Sequence, residues 1–210
     1  MRSCIIAILI AVMIVPNALM AQEAGSFVAG IEAGFTSAMG DFRNDSLNAN
    51  TGFGLGAELR YTLLKNISLG PFLRYHRFGS NTESIEGNIS YNFTQYGGLG
   101  RISMFSVGGG NLYIVGGGGI FKPNSHTWAP TNTTNETFES GPFFTAGLGL
   151  STNPFASTIY ELEIRYNSGN ADKISMVGIE EVTQNYQFDF IYLAMKLSFN
   201  SKGIKPQPRY

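Results

Sequence analysis

Residues 51–63 read TGFGLGAELRYTL, and the period of this segment decides the fold. Phe53, Leu55, Ala57, Leu59, Tyr61 and Leu63 occupy every second position, with Gly52, Gly54, Gly56, Glu58, Arg60 and Thr62 between them. A side-chain period of two belongs to an extended strand. One face is continuously apolar; the other carries glycines and two opposite charges. The run matches the roughly 9–11 residues that a tilted strand needs to cross a bilayer. Strands of soluble sandwiches are shorter, about 5–6 residues.

Outward from this segment the alternation recurs. A first strand is read over residues 27–36, with Phe27, Ala29, Ile31, Ala33 and Phe35 on its apolar face. The quoted strand ends in a tight turn at Leu64, Lys65 and Asn66. A third strand covers 67–77. Its Pro71 cannot donate to a ladder, so it is expected near the start of regular pairing or at a bulge. A fourth covers 89–104, where the alternation slips at Gly97-Gly98 and a bulge is expected. A fifth covers 112–121, and its four consecutive glycines, Gly116 to Gly119, leave its facing open. The remaining strands are read over 142–152, 158–167 and 186–199. Connections alternate between long polar loops (39–50, 79–88, 123–139, 168–185) and short turns. The expectation is an all-β chain forming an eight-stranded antiparallel up-and-down transmembrane β-barrel, both termini at the short-turn end. The rival is a soluble barrel of the lipocalin kind, which would turn its apolar residues inward.

Composition agrees with the membrane reading. Arg2 followed by the apolar run 5–15, the break at Pro16-Asn17 and a small residue at Ala21 read as an export signal over 1–21. That run is shorter than the roughly 20 residues of a spanning helix. Cys4, the single cysteine, falls within it, so the mature chain is expected to have no disulfide or thiolate chemistry. The remainder holds 13 basic and 15 acidic residues, which argues against a nucleic-acid partner. All 26 glycines and all 27 aromatics lie beyond the signal, the composition of a membrane barrel. One domain is expected over 22–199, followed by a short periplasmic tail over 200–210.

The chain resembles the eight-stranded OmpA/OmpX-like outer-membrane β-barrel domains. The carriers are the signal segment, the strand pattern over about residues 27–199 and the closing segment YLAMKLSF at 192–199. That segment resembles the signal read by the barrel assembly machinery, with Leu193, Met195, Leu197 and the terminal aromatic Phe199 in the roles that matter. The resemblance implies residence in a bacterial outer membrane after signal cleavage, lipid and the assembly machinery as partners, and a monomer. The tail after Phe199 is too short to resemble a peptidoglycan-binding domain.

The faces opposite the apolar ones collect Glu32, Glu58, Glu161 and Glu163 with Arg60, Arg74, Arg101, Arg165 and Lys196. An eight-stranded barrel has an interior just wide enough for side chains to fill. Charges survive there only when paired and hydrogen-bonded. These nine residues are therefore read as a structural polar plug, with a narrow ion path as the alternative. No cofactor and no metal site are expected: His76 and His126 are the only histidines. A lipid-modifying enzyme would need a serine–histidine pair. Ser125 and His126 are adjacent, and neighbours on a strand face opposite ways. Function is expected to reside in the long external loops, acting on an unidentified surface ligand.

Overall fold

The computed structural model describes residues 24–44, 47–80, 88–107, 110–128, 133–152, 156–177 and 180–201. The expected signal at 1–21 and most of the tail, 202–210, lie outside the described residues. The elements are β1 (Phe27–Met39), α1 (Gly40–Asn44), β2 (Ala49–Leu64), β3 (Ile67–Ser80), β4 (Asn88–Val107), β5 (Gly110–Trp128), β6 (Thr133–Thr137), β7 (Gly141–Ser151), β8 (Thr158–Val177) and β9 (Glu180–Asn200). Eight of the strands form a closed antiparallel ring in the order β1-β2-β3-β4-β5-β7-β8-β9, and β9 pairs back onto β1 from Asn200↔Val28 to Asp189↔Met39. The ninth strand, β6, lies on the outer end of β5 alone. Closure leaves no edge in the ring, which is the condition for a sheet to sit in hydrocarbon.

The apolar faces point outward. Phe53, Leu55, Leu59 and Tyr61 are exposed on β2, as are Ile31 and Phe35 on β1 and Leu193, Met195 and Phe199 on β9. This is the reverse of a lipocalin. Aromatic rings gather at two heights: Phe27, Tyr61, Tyr160 and Phe199 near the short turns, and Phe35, Phe53, Tyr75, Phe144 and Tyr166 near the long connections. Phe27 and Phe35 stand eight residues apart on one strand. At about 3.3 Å per residue and a tilt of about 40°, that spans roughly 20 Å of bilayer. The two rings are the girdles that such a surface places at its interfaces.

Several expectations need correction. The connection after β1 is not all loop: Gly40, at φ +53°, breaks the strand and α1 follows, with Phe42 turned inward and fully buried. The third and fourth long connections are largely ladder. β5 runs to Trp128 and receives β6, while β8 and β9 pair continuously up to Val177↔Glu180. No bulge occurs at Gly97-Gly98, where pairing is in register with both neighbours; the irregularity lies between Ser103 and Phe105. The slip arises because Tyr91 and Phe93, near the outer end of β4, are aromatic residues that face inward. Pro71 sits mid-strand. The β2–β3 ladder skips its level, pairing Glu58↔Phe72 and then Tyr61↔Leu69 with the register unchanged. Asn200 is not free tail: it closes β9, and the Phe27 N–H donates to Ser201 Oγ at 3.0 Å.

The four-glycine run is also resolved. β5 keeps odd residues inward from Asn111 to Ser125, so Gly117 and Gly119 face the lumen while Gly116 and Gly118 face outward. Gly98 and Gly100 pair with Gly118 and Gly116, leaving a bare area on the outer wall. A Cβ added to Gly98 meets nothing within 4 Å, whereas one added to Gly34 collides with the Leu193 carbonyl oxygen. Gly98→Leu is therefore expected to fold like the wild type. Gly34→Leu is expected to cost about 1–3 kcal/mol through overpacking, measured by urea unfolding from lipid vesicles.

Candidate functional site in the barrel lumen

The inward parity of each strand brings all nine sequence-predicted charges into the lower half of the lumen. Glu32 comes from β1, Glu58 and Arg60 from β2, Arg74 from β3, Arg101 from β4, Glu161, Glu163 and Arg165 from β8, and Lys196 from β9; all are buried. Lys196 stands at the centre. Its Nζ donates to Glu58 Oε2 at 2.7 Å and Glu163 Oε1 at 2.8 Å, and lies 3.5 Å from Glu32 and 4.0 Å from Glu161. One ammonium thus faces all four carboxylates.

The arginines tie these acids to the rest of the wall. Arg165 donates from Nη1 and Nη2 to the two oxygens of Glu32, at 3.1 and 2.6 Å, and from Nε to Glu163. Arg74 Nε donates to Glu32 at 2.5 Å. Arg60 reaches Glu161 with Nη2 at 3.1 Å and Glu58 with Nε at 2.9 Å. Arg101 donates to Glu161 from Nη1 and to Ser151 Oγ on β7 at 3.2 Å. Its guanidinium carbon lies 3.3 Å from the ring centre of Tyr113 on β5, and the Tyr113 hydroxyl donates to Glu163 at 2.7 Å. Through these contacts every strand of the ring takes part. In a water-poor interior each lone charge would carry a large desolvation cost, so the charges stand as one paired set, although Arg60 Nη1 and Arg74 Nη1 find no hydrogen-bond acceptor within it.

Above this layer lie the uncharged polar side chains Thr36, His76, Gln95, Thr145 and Asn167, all buried. His76 packs edge-on between Phe190 and Tyr192, with ring centres 5.0 and 4.8 Å away. Above these is an aromatic layer that sequence reasoning missed. Phe42 of α1 enters from the rim and touches Phe78, Phe93, Phe188 and Tyr91 at centroid distances of 5.1–5.7 Å. Phe121 joins Phe93, Phe143 and Phe188 at 5.5–6.3 Å, and Phe138 joins Phe188 at 5.6 Å. The Tyr91 hydroxyl donates to the Leu47 carbonyl at 2.7 Å, fastening the segment after α1 to the same layer. The signal was present in the parity: Phe72, Arg74, His76 and Phe78 share one face of β3. The sequence reading ends this strand at residue 77 with loop from 79, which hid it.

The other candidates separate. Ser125 is buried on the inward face of β5 and His126 is half-buried on the outward face, within a continuous ladder. They do not form a serine–histidine pair. Among the described residues no group of three His, Cys, Asp or Glu side chains is arranged to hold a metal. Leu193, Met195 and Phe199 are exposed on the outer face of β9, and Leu197, half-buried, shares that face. Phe199 pairs with Ala29 and Thr158 near the short-turn end.

Glu161→Gln leaves Arg60 and Arg101 buried beside a neutral group and is expected to cost about 3–5 kcal/mol of unfolding free energy. Adding Arg101→Gln should cost less than the sum of the two single changes, as measured by a double-mutant cycle in denaturant. Phe42→Ala removes the ring on which the aromatic layer closes and is expected to cost about 3–5 kcal/mol in the same assay.

No protein-family model matches the chain, and no curated protein does. Solved structures do. Neisserial surface protein A is similar with a TM-score of 0.56 at 12% identity, covering 83% of this chain and 98% of that one. OprG, an outer membrane protein of Pseudomonas aeruginosa, has a TM-score of 0.53 at 13% identity over 87% of this chain and 99% of its own. Ail, the attachment invasion locus protein of Yersinia pestis, has a TM-score of 0.50 at 11% identity over 84% and 100%. At these identities the likeness concerns the fold alone, and that fold is the eight-stranded outer-membrane β-barrel.

Proposed function

We propose that this chain is an outer-membrane barrel without a conducting pore, a rigid stalk that presents its outer hairpins for surface interaction. The observation that carries this reading is the double filling of the lumen. A nine-residue ion network occupies the lower half, and an aromatic layer closed by Phe42 occupies the upper half. An ion entering from outside would have to part packed phenyl rings and then displace carboxylate–guanidinium pairs. The hairpin β8–β9 and the β5–β6 unit are the elements offered outward, since recognition tends to sit on segments held by a rigid scaffold. The ligand of that surface is unidentified. The role proposed is non-enzymatic; the adjacent Ser125 and His126 are split across two faces of β5.

Purified protein in planar bilayers is expected to give no stable single-channel steps. Large reproducible conductance in the wild type would overturn the reading in favour of a narrow channel. Conductance that appears only in Phe42→Ala combined with Glu161→Gln would support it. Mass spectrometry of lipid A from a deletion strain tests the enzymatic alternative, and an altered acyl pattern would establish it.

Export by cleavage after Ala21, residence as a monomer and recognition of the last strand by the assembly machinery belong to the same proposal. Leu193, Met195, Leu197 and Phe199 present a continuous apolar face on the closing strand. Phe199→Asp is expected to lower the heat-modifiable barrel recovered from membranes. Truncation after Ser201, which keeps the Phe27–Ser201 contact, should leave that amount unchanged.

A further inference from the structure

The charges on the outer wall are unevenly distributed. Around β2, β3, β4, β5 and β7 the outward positions among the described residues carry two charged side chains, Arg77 and Lys122, and both are exposed cations. The outward acids lie across the ring. Asp189 on β9 accepts from the Gln187 amide at 2.8 Å, and Asp172 on β8 accepts from the Asn185 amide at 2.6 Å. The described outward positions of these five strands carry no carboxylate; the described acids on this side are Glu136 on β6 and the exposed Glu139 that follows it, beyond the level of Lys122.

Strand register puts the two cations together. Arg77 pairs with Asn92 and Lys122 pairs with Thr94, so both flank the same two positions of β4. Their Cα atoms are two strands apart and two residues offset, roughly 12 Å by standard sheet spacings. Both side chains are long enough to meet over Asn92 and Thr94. The Tyr75 hydroxyl donates to Asn92 Oδ1 at 2.8 Å, which turns the amide N–H groups of Asn92 toward solvent. A guanidinium, an ammonium, an amide and a hydroxyl thus share one outward area. This is a donor set for a phosphate, with the guanidinium giving the bidentate contact.

The height of the area selects the source of the phosphate. One outward step toward the short turns, the level of Lys122 gives way to Leu73, Tyr96 and Ile120, all exposed and apolar. The cations therefore stand at the boundary between the apolar belt and water, on the side of the long hairpins. That is the depth of headgroup phosphates. We propose that Arg77, Asn92, Thr94 and Lys122 form a binding site for the phosphate of an anionic lipid in the leaflet around the hairpin end, with its acyl chains lying against Leu73, Tyr96 and Ile120.

The test uses the full mature chain folded into phosphatidylcholine bilayers with spin-labelled phosphatidic acid or spin-labelled phosphatidylcholine as probe. Electron paramagnetic resonance reads the immobilised lipid at the protein surface. The wild type is expected to prefer phosphatidic acid by about fivefold, the effect of about one cation near a membrane surface. Arg77→Gln with Lys122→Gln should bring the ratio close to one. The charge-preserving Arg77→Lys with Lys122→Arg should retain the preference, which separates loss of the site from loss of the fold. Lys65→Gln at the opposite rim should change nothing. Equal affinity of the wild type for the two probes, or a preference that survives removal of both cations, would overturn the proposal. Displacement of the probe by millimolar inorganic phosphate would overturn its lipid assignment in favour of a free-anion site.

Discussion

Within a bilayer every backbone N–H and C=O must find its partner inside the protein, and the structure follows from that demand. A sheet meets it only when its last strand returns to its first. Here β9 runs alongside β1 from Asn200↔Val28 to Asp189↔Met39, so the ladder has no open edge in the ring. Closure then makes parity absolute. Each residue faces either lipid or lumen, and a slip of one position would invert the set. Even Pro71, which cannot donate, is accommodated by omitting its level from the β2–β3 ladder rather than by shifting the register.

Parity carried around a closed ring of eight strands leaves an interior that side chains must fill. The chain solves this with two unlike layers. Below, four carboxylates and five cations pair with one another, with Lys196 placed against all four acids. Above, phenyl rings pack edge to face, an arrangement favoured by the ring quadrupole. The ionic layer adds direction and specificity more than net stability, since well-bonded buried pairs often only balance their desolvation. The aromatic layer adds apolar burial where the strands leave the membrane and the interior would otherwise meet water. Arg74 over Phe72, at 4.1 Å, is one of the few contacts joining charged and aromatic groups across the boundary.

The outer wall shows the same economy. Glycines at Gly34 and elsewhere are required where a Cβ would strike a neighbouring carbonyl, but Gly98 faces open space. Of the outward strand positions at the hairpin end, Arg77 and Lys122 lie on one side of the ring and Asp172 and Asp189 on the other. The barrel is thus uniform in its ladder and asymmetric in what it shows to its surroundings.

How much of this was legible can be argued from particular residues. The alternation of Phe53 to Leu63 specifies strand, span and lipid-facing side by itself, because side-chain direction in a strand is a local property of the backbone. The same locality made all nine inward charges readable. It could not say which charge meets which: Arg60 and Glu161 are 101 residues apart and touch only because β2 and β8 face one another across the closed lumen. Nor could it separate loop from ladder beyond the membrane. The stretch 168–185 is polar enough to read as loop, yet its backbone pairs as β8–β9 because each strand supplies the other's partners. Phe42 is the clearest case. Its sequence surroundings are Gly40, Asp41 and Asn44, and nothing local marks it as core. Only closure of the ring brings Phe78, Phe93 and Phe188 around one point, and the burial of an aromatic surface there pulls α1 inward to meet them.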